Sequence, residues 1–540
     1  MKPETRVAST PNLEILVSRP RGGELVRAYL AGDAGVERFF GPRFDRWETF
    51  AAKAREVDSR FDRDARARAA EAVIVPPGGA RARLDRFVEE GGYMVTTGQQ
   101  AALFGGPLYN LYKGLTAARL AEALEERFAK PVLPLFWISS EDHDWDEACH
   151  ADLVGVDNEL HRVDLAHPSP DVAPALHRIT LGEEIEAALT AFLSHLPDTD
   201  FSEEYRELLR SSFRPGGTLV DGFHGVLQEL LGRFGVYFTD AIHPVVKRDS
   251  AAVVVAELAR AAELEAVLRD TATALEEGGF ALQVPILEGS VNLFAEGPAG
   301  RERIYREDGS YRLRTSGERL SRDELQARFE RDPNALSPNV LLRPVVEAAL
   351  FPTLAYVGGP GEMAYFGQLR GYFEAHGVTM PVVFPRWSAI TVEGKIRKVL
   401  QKFDMEVDAL DRPFHEIASD VAREEVPADV RAALGKLRGA VGSGMAELTK
   451  AARGVDETLK GPVQQGASQT MGLLDDLEKK IVAAVKRQSE VALAQLEKAQ
   501  VHLFPGGKPA ERVQSPFYYL TRYGGAVLEA FYERFGVNLE

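Results

Sequence analysis

The fold is decided between Tyr93 and His150, by two segments that read Tyr93-Met-Val-Thr-Thr-Gly-Gln-Gln-Ala-Ala-Leu-Phe-Gly-Gly-Pro-Leu-Tyr-Asn-Leu-Tyr-Lys113 and Phe136-Trp-Ile-Ser-Ser-Glu-Asp-His-Asp-Trp-Asp-Glu147. The first segment opens on a short, β-favouring apolar run. Glycines then precede leucines and alanines at helical spacing, from Leu108 to Leu124. The second segment ends a continuous apolar run from residue 131 to residue 138, which is typical of a strand buried on both faces. Strand, helix and strand in this order predict a βαβ unit of a parallel sheet.

Both segments turn polar where their predicted strands end. Ligands of parallel α/β sheets bind at the carboxyl ends of the strands, and we therefore expect the functional site at this edge. From residue 339 the same pattern resumes, with predicted strands at 353–357 and 380–384 and predicted helices at 341–350, 362–376 and 392–403. The sequence thus predicts an α/β, Rossmann-type core over residues 91–403.

Length and composition bound the rest of the organisation. A chain of 540 residues exceeds what one hydrophobic core usually organises, and 45% hydrophobic with 27% charged residues is ordinary for a globular protein. The net charge of −17 argues against a nucleic-acid partner, because phosphate contacts need a basic surface. We find no apolar run of membrane-spanning length and no signal-like stretch in residues 1–6, and we expect a cytoplasmic protein without a membrane partner.

Three further regions surround the predicted core. The pattern of residues 1–90 predicts a helical leader packed on the core. An insertion is predicted at about residues 151–338, and it contains antiparallel hairpins between residues 283 and 314. Residues 404–502 carry apolar residues at heptad-like spacing and predict two long helices, with the break either at Gly454 and Asp456 or at Gly461-Pro462. Residues 503–540 are aromatic and are expected to return to the core.

The first candidate site is the glycine-rich turn after residue 97. Backbone amides of Gly98, Gln99 and Gln100, together with the positive end of the following helix, favour an anion such as a nucleotide phosphate. Tyr112 and Lys113 follow within the first turns of that helix, where the lysine would reach a phosphate. A tight turn without a ligand and a solvated lysine remain the alternatives.

The second candidate site is the acidic turn Glu141-Asp142-His143-Asp144. Four titratable groups crowd a strand end, where a ligand, a cation or hydrogen bonds must offset their repulsion. His143 is a candidate to polarise a phosphate or to act as acid or base, and Asp142 and Asp144 are candidates for a ribose, a substrate ammonium or Mg²⁺.

Residues that follow this turn are weaker candidates. Asp146 and Glu147 are interpreted as helix caps. A zinc site from His143, Asp144, Cys149 and His150 has suitable residue types, but the spacing matches no established pattern, and we predict no metal site from it. The single cysteine, Cys149, is interpreted as a buried inert thiol.

The third candidate site lies in the later half of the predicted core. Its turn, Gly358-Gly359-Pro-Gly361-Glu362, opens a helix after a strand and suits an anion or a carboxylate. We expect Glu362, Tyr365 and Gln368 to share one face of that helix. Arg386 and Ser388 follow the next strand, where a cation would meet phosphates or a substrate carboxylate, and Arg343 is a second cationic candidate.

Six blocks of this sequence resemble one family. The resemblance is carried by Thr96-Thr-Gly-Gln-Gln-Ala-Ala-Leu-Phe-Gly-Gly-Pro-Leu-Tyr109, Phe136-Trp-Ile-Ser-Ser-Glu-Asp-His-Asp144, Ser337-Pro-Asn-Val-Leu-Leu-Arg-Pro344, Tyr356-Val-Gly-Gly-Pro-Gly-Glu362, Pro385-Arg-Trp-Ser388 and Leu503-Phe-Pro-Gly-Gly507. In these blocks the chain resembles the bacillithiol biosynthesis cysteine-adding enzymes, also called cysteine ligases. The blocks span nearly the whole chain in one order.

The resemblance implies a fold and an activity. It implies a Rossmann-type core related to class I aminoacyl-tRNA synthetases, with connecting-peptide insertions, and a C-terminal coiled coil that forms a homodimer. It also implies that L-cysteine is joined to the amine of glucosaminyl-malate, the last step of bacillithiol synthesis. Because a free carboxylate does not acylate an amine at neutral pH, we expect ATP as a co-substrate, with Mg²⁺ as its companion ion. Neither a His-x-Gly-His turn nor a Lys-Met-Ser-Lys-Ser loop is present.

These expectations assign the candidate residues. Gly98, Gln99, Gln100, Tyr112 and Lys113 would meet the nucleotide, and Asp142, His143 and Asp144 would lie at the reacting centre. Substrate contacts would come from Glu141, Tyr356, Gly358, Gly359, Gly361, Glu362, Tyr365, Gln368, Arg386 and Ser388. The alternative function is a non-catalytic, nucleotide-binding dimeric scaffold on a degenerate synthetase core, which the missing synthetase signatures favour.

Overall fold

The computed structural model describes residues 13–168 and 172–540. Residues 1–12, which include the start of the predicted helical leader and the N-terminal stretch expected to lack a signal peptide, lie outside the described residues. The chain forms two compact units. One comprises the residues up to Thr391 together with Glu511–Glu540, and the other comprises Val392–Ala510.

Strands and helices alternate through most of the larger unit. The strands are Leu13–Ser18 (β1), Tyr93–Gln99 (β2), Val132–Ile138 (β3), His150–Val154 (β4), Leu160–Asp164 (β5), Tyr237–Asp240 (β6), Ser290–Gly297 (β7), Gly300–Glu307 (β8), Ser310–Leu313 (β9), Arg319–Leu320 (β10), Leu336–Pro338 (β11), Thr353–Gly358 (β12), Val382–Pro385 (β13) and Ser388–Glu393 (β14). The helices up to residue 375 are Glu24–Ala31 (α1), Glu37–Phe40 (α2), Trp47–Arg60 (α3), Arg63–Glu71 (α4), Ala80–Glu89 (α5), Tyr109–Phe128 (α6), Trp145–Ala148 (α7), Glu184–Ser194 (α8), Ser202–Ser212 (α9), Leu219–Gly232 (α10), Pro244–Glu277 (α11), Arg322–Arg331 (α12), Arg343–Leu350 (α13), Pro360–Phe366 (α14) and Arg370–Ala375 (α15). The later helices are Gly394–Lys402 (α16), Phe414–Glu425 (α17), Ala428–Arg453 (α18), Lys460–Gln488 (α19), Glu490–Leu503 (α20), Phe517–Tyr523 (α21) and Ala526–Arg534 (α22).

The core is a five-stranded sheet with the order β13-β12-β2-β3-β6. All four pairings are parallel, and β2, β3 and β12 consist almost entirely of buried residues, as strands covered by helices on both faces require. Successive strands run outward from β2 in one direction through β3 and β6, and in the other through β12 and β13. The predicted Rossmann-type parallel core is confirmed. Its strand order reverses between β2 and β12, which is where such sheets bind ligands.

The loop between β2 and α6 has a backbone that only certain residues allow. Phe104, Gly105 and Gly106 all have positive φ, at 50°, 83° and 66°. A Cβ atom on Gly106 would lie 2.5 Å from the Asn110 side chain, so both conformation and space require glycine at this position. The loop therefore returns the chain tightly into α6.

The insertion contains the antiparallel sheet predicted from its hairpin composition. Its order is β10-β9-β8-β7-β11, and β11 pairs antiparallel with β7 through Ser337 and Phe294. β7 thus lies between β11 and β8, the strand that carries Arg301 and Arg303. The insertion thereby supplies side chains beside the parallel core.

One expectation about helix geometry is wrong. The predicted single helix at 362–376 is two short helices, α14 and α15, separated by residues 367–369. A Cβ atom on Gly367 would lie 2.9 Å from Phe40 and 3.0 Å from Leu25, so the N-terminal helices approach the chain closely at this break. Gln368 turns away and bonds the backbone of Gln283 and Val284 at 3.0–3.1 Å. It does not share a helix face with Glu362 and Tyr365.

The smaller unit is helical, as predicted for a coiled coil. Its first long helix, α18, ends at Arg453, and Asp456 caps the short turn before α19 by accepting from the Thr458 amide. The break therefore lies at Gly454 to Asp456, while Gly461 and Pro462 lie inside the first turns of α19. The second predicted helix is itself interrupted at Ser489, where α20 begins. No helix within the described ranges is both long and apolar enough to cross a lipid bilayer.

Candidate active site

A cavity of about 460 Å³ lies at the carboxyl edge of the parallel sheet, within the larger unit. The loops after β2, β3, β12 and β13 all contribute, together with β8 and the segment after Glu511. Its lining residues are Gly98, Gln99, Gln100, Tyr109, Lys113, Trp137, Ser139, Glu141, Asp142, His143, Glu147, Ala241, Phe294, Arg301, Arg303, Pro338, Asn339, Val340, Arg343, Tyr356, Gly359, Pro360, Gly361, Glu362, Tyr365, Arg386 and Arg512. Segments that are hundreds of residues apart in sequence thus share one pocket.

Lys113 is buried in the wall of this cavity rather than solvated. Its Nζ atom donates to Gly98 O at 2.8 Å and to Gln99 Oε1 at 2.7 Å, and lies 2.7 Å from Glu362 Oε2. An ammonium group has three donors, and all three are occupied. Burial lowers the pKa of Lys113, and the Glu362 carboxylate opposes this shift. The lysine therefore fixes the end of β2 and is not free to bind an anion.

Glu362 is the acceptor at the centre of this network. Its carboxylate also accepts from Tyr356 Oη at 2.5 Å and from the Gly359 amide at 2.8 Å. Burial acts to raise the pKa of Glu362, but Lys113 and the Gly359 amide outweigh it and hold that pKa below its usual value. The Arg343 guanidinium extends this hydrogen-bond network by donating to Tyr356 Oη at 3.2 Å. The side chains of α6, β12, α13 and α14 are thus locked together.

Arg386 is also fully engaged. Its guanidinium forms two hydrogen bonds to Glu511, at 2.6 and 3.1 Å, and a third to Ser388 Oγ at 3.1 Å. Only 2% of the Arg386 side chain and 8% of the Glu511 side chain are exposed. A buried, bidentate pair of this kind holds the segment after Ala510 against β13. Glu511 was not predicted as the partner of Arg386, because the two residues are 125 positions apart.

The acidic turn after β3 is organised by its own backbone and by an arginine from β8. Asp142 Oδ1 accepts from the amides of His143 and Asp144, at 2.7 and 3.3 Å. Arg301 lies 3.0 Å from His143 Nδ1 and also bonds Ser337 and Pro338. Because a guanidinium only donates, His143 Nδ1 must accept, which places the ring proton on Nε2. Burial and the Arg301 charge lower the pKa of His143, so the ring is neutral.

The other carboxylates in and after this turn make different contacts. Glu141 forms a buried ion pair with Lys247, which also donates to Leu336 O at 3.2 Å. Asp144 caps α7 by accepting from the Glu147 amide at 3.1 Å. Glu147 lines the cavity, and burial together with Asp144 and Asp142 raises its pKa. The raised pKa makes Glu147 a better proton acceptor than an unperturbed glutamate.

Three arginines at the cavity have no acidic partner among the described residues, and two of them, Arg303 and Arg512, also lack the polar contacts that hold Arg301 in place. Within residues 13–168 and 172–540, no carboxylate lies within 4.0 Å of the Arg303 or the Arg512 guanidinium. Arg303 makes one long contact, 3.5 Å to Ser290 Oγ, and lies over the Phe294 ring. Arg512 is exposed at the mouth of the cavity. These two cations are available to an anionic ligand, in contrast to Lys113 and Arg386.

The structure brings together most of the residues that the sequence singled out. Thirteen of the predicted site residues line the cavity: Gly98, Gln99, Gln100, Lys113, Glu141, Asp142, His143, Tyr356, Gly359, Gly361, Glu362, Tyr365 and Arg386. Five do not line it, namely Tyr112, Asp144, Gly358, Gln368 and Ser388.

Tyr112 is the clearest correction to the sequence-based assignment. Its ring is fully buried against Phe531 and Phe535, because Tyr112 lies on the face of α6 that packs on α22. It therefore cannot contact a nucleotide in the cavity.

Sequence reasoning also missed residues at the cavity. Arg301, Arg303 and Arg512 line it, and Glu147 does so where only a helix cap was expected. Arg301 and Arg303 alternate along β8, so a period of two puts them on one face of the strand. Which face meets the core is decided only by the pairing of β7 with β11.

Comparisons with known proteins agree with this architecture. Residues 13–387 match the family described as bacillithiol biosynthesis BshC, N-terminal Rossmann-like domain, and residues 389–537 match its C-terminal coiled-coil domain. The chain is 33% identical over 454 residues to "Putative cysteine ligase BshC" of Salinibacter ruber, covering 83% of this chain and 82% of that protein. The protein of the same name from Chlorobaculum tepidum is 33% identical over 453 residues, covering 80% and 79%. That from Koribacter versatilis is 29% identical over 520 residues, covering 95% and 96%. With both of its parts matched, the chain belongs to the BshC family of bacillithiol biosynthesis.

Proposed function

We propose that the protein is a ligase that joins the carboxylate of L-cysteine to the amine of glucosaminyl-malate, the last step of bacillithiol synthesis. The names of its relatives support a cysteine ligase. The observation that carries the proposal is the presence of two unpaired arginines, Arg303 and Arg512, in a cavity that also holds a neutral His143. Malate presents two carboxylates, and these match two cations that have no acidic partner.

Activation of the cysteine carboxylate requires an energy source, and we propose ATP. Gly98 to Gln100, at the end of β2, line the cavity, and Tyr109 places the start of the 20-residue helix α6 at its wall, where the positive end of the helix favours phosphates. Lys113 holds these residues in place through hydrogen bonds to Gly98 O and Gln99 Oε1, and it does not contact a phosphate in this proposal. Mg²⁺ carried in with ATP takes oxygen ligands, for which the cavity offers Asp142, and it would neutralise phosphate charge.

His143 and Glu147 suit two complementary roles in the acyl transfer. With its proton on Nε2, His143 donates to an oxygen of the cysteine carboxyl group, where negative charge grows as the amine attacks. Glu147, with its raised pKa, accepts the proton that the amine loses when the amide bond forms. Orientation of the amine would follow from the malate carboxylates held by Arg303 and Arg512.

Incubation of the purified full-length chain with L-cysteine, glucosaminyl-malate and ATP tests this function. A product with the mass of the condensed thiol, formed only when all three are present, is the expected result, and separation of AMP from ADP identifies the route of activation. Absence of product with all three substrates would contradict the proposal.

The alternative, a nucleotide-binding scaffold without catalysis, is favoured by one observation. Lys113 and Arg386, the cations expected to serve catalysis, are both saturated by protein carboxylates. Tight ATP binding by the same preparation, without turnover under any substrate combination, is the result that this alternative predicts.

We further propose that the protein is a homodimer through its helical unit. Large apolar side chains of α18 and α19 are exposed, among them Leu448 at 52% and Leu473 at 70%. The hydrophobic effect favours burying such a stripe against a second copy, as in other coiled coils.

A further inference from the structure

A group of thiol, imidazole and carboxylate ligands lies outside the cavity, at the start of β4 and the end of β5. Sγ of Cys149, a ring nitrogen of His150 and a carboxylate oxygen of Asp164 all lie within 4.8 Å of one another. His150 and Asp164 face each other across the antiparallel pair, and Cys149 immediately precedes β4. The group differs from the combination considered from sequence, because His143 and Asp144 are not part of it.

The His150 ring is oriented as a metal ligand. Its Nδ1 atom lies 2.9 Å from Asp146 O, and a carbonyl only accepts, so Nδ1 carries the proton. This leaves the lone pair on Nε2, which lies 3.7 Å from Asp152 Oδ2, too far for a hydrogen bond. A backbone carbonyl that holds the distal ring nitrogen is the usual outer contact of a metal-bound histidine.

The two nearby carboxylates are not equivalent. Asp152 is already neutralised by Arg162, which forms two hydrogen bonds to it at 2.7 and 2.9 Å. Within the part of the chain that the structure describes, Asp164 has neither a hydrogen bond to its carboxylate nor an ion pair. Asp164 is therefore the carboxylate whose charge is left for a cation.

We propose that Cys149, His150 and Asp164 bind a thiophilic divalent cation of the Zn²⁺ class, with water in the fourth position. A soft sulfur, a borderline nitrogen and a hard oxygen together suit Zn²⁺, and exclude Mg²⁺ and Ca²⁺, which take oxygen ligands. Binding replaces the thiol proton, which passes to solvent, and forms a sulfur-to-metal bond.

The cation would close a hairpin that supports the cavity wall. β4 and β5 form an isolated two-stranded sheet, which has little stability of its own. The ligands lie at the open end of this hairpin, away from the turn at residues 155–159. Gln514 and Ser515, which follow cavity residue Arg512, bond β4 through Val154 N at 2.9 Å and Asp152 O at 3.0 Å. A metal at this end thus fixes two segments of the cavity wall.

Titration of the chelator-treated full-length chain with Co²⁺ tests the site. We expect one equivalent of Co²⁺ to bind with thiolate-to-metal charge-transfer absorption, and Zn²⁺ to displace it. Cys149→Ser should abolish that absorption, and Asp164→Asn should weaken binding by at least about 100-fold, because the loss of an outer contact alone costs up to that factor and Asp164 is a direct ligand. Absence of the absorption in the parent chain, or binding that is unchanged in both variants, would overturn the proposal.

A matched control comes from the other end of the hairpin. Asp157, Glu159 and His161 form a second group of ligand atoms that contains no sulfur. His161→Gln should leave the charge-transfer absorption and the affinity unchanged. Loss of both in this variant would show that the metal depends on the group around His161, and would contradict the proposed site.

A measurement on the thiol itself is independent of folding differences between variants. Because Cys149 is the single cysteine, its alkylation rate reports on this site alone. Zn²⁺ should slow alkylation at least about 10-fold, and a chelator should restore the rate, since a metal-bound sulfur is shielded from the reagent. Asp164→Asn, at an exposed position, should lose this protection with an unchanged circular dichroism spectrum. Equal alkylation rates with and without Zn²⁺ in the parent chain would contradict metal binding by the thiol.

Discussion

Nζ of Lys113 lies 2.7 Å from Oε2 of Glu362, and the two side chains come from helices that follow β2 and β12, the strands between which the sheet order reverses. Both are largely buried, with 4% of the lysine side chain and 18% of the glutamate side chain exposed. The pair therefore ties the two halves of the core together beneath the cavity. Its position explains why a lysine beside a glycine-rich turn does not act as a phosphate ligand here.

Removal of either member of this pair should be costly, and removal of both less so. Glu362→Gln or Lys113→Met alone leaves a buried charge without compensation, and each should lower the free energy of unfolding by about 3–5 kcal/mol. The double variant should lose clearly less than the sum of the two. Urea denaturation of the four proteins measures the coupling, and strictly additive losses would show that the two side chains do not depend on each other.

Arg303 and Arg386 should respond oppositely to the same substitution. Arg303→Gln removes a cation that has no acidic partner, so KM for glucosaminyl-malate should rise about 10- to 100-fold with little loss of stability. Arg386→Gln leaves Glu511 buried and unpaired, and should lower the free energy of unfolding by about 3–5 kcal/mol. Steady-state kinetics and urea denaturation of both variants check this contrast. Unchanged KM in Arg303→Gln would remove this arginine from the substrate site.

The pH dependence of turnover should follow His143. Because the pKa of His143 lies below its ordinary value, the neutral ring persists at neutral pH, and kcat/KM should fall on the acidic side as the His143 ring and the Glu147 carboxylate become protonated. Arg301→Gln removes one cause of the shift, so the acidic limb should move to higher pH. Arg301→Lys keeps the positive charge and serves as the control, in which the acidic limb of the pH profile should move less. His143→Ala should abolish cysteine-dependent turnover without unfolding the chain. An acidic limb that stays in place in Arg301→Gln would contradict the assignment.

Asp240 should make stability depend on pH in an unusual direction. Burial raises its pKa from 3.8 to about 6, although Ser140 and the Ile242 amide donate to it. A folded-state pKa above the unfolded one contributes stability that is fully present below pH 4 and is lost as pH rises through 6, by up to about 3 kcal/mol. Asp240→Asn, which still accepts both hydrogen bonds, should abolish this contribution. Urea denaturation between pH 4 and 7 measures it, and parallel curves for the two proteins would exclude it.

The proposed dimer depends on exposed leucines of the helical unit. Leu448→Glu with Leu473→Glu places charges in the stripe and should convert the dimer to a monomer of unchanged helicity. Light scattering after gel filtration measures the mass, and Lys480→Glu, at an exposed polar position of the same helix, is the control. A parent chain that already elutes as a monomer would contradict the proposed dimer.

The core strands and the placement of most candidate residues could be predicted because both depend on short-range patterns. Apolar runs in 93–97 and 131–138 identify buried strands, and glycines and acidic residues after them mark the strand ends. Parallel strands then force those ends to one edge. The break of the helix after Glu362 was not predicted, and it coincides with the close approach of Leu25 and Phe40 to Gly367. Such contacts leave no periodic signal at the helix itself.

The sequence by itself determined the parallel sheet, the position of its ligand-binding edge, the helical C-terminal region and, through six blocks of residues, the family. Only the tertiary structure decided which charges are available for chemistry. Lys113 and Arg386 looked like free cations, and both are neutralised by glutamates, at positions 362 and 511, that lie far away in the chain. Arg303 and Arg512 drew no notice, and they remain open to a ligand. The physical reason is that an ion pair requires two atoms within about 4 Å, and chain spacing does not encode that distance between distant segments.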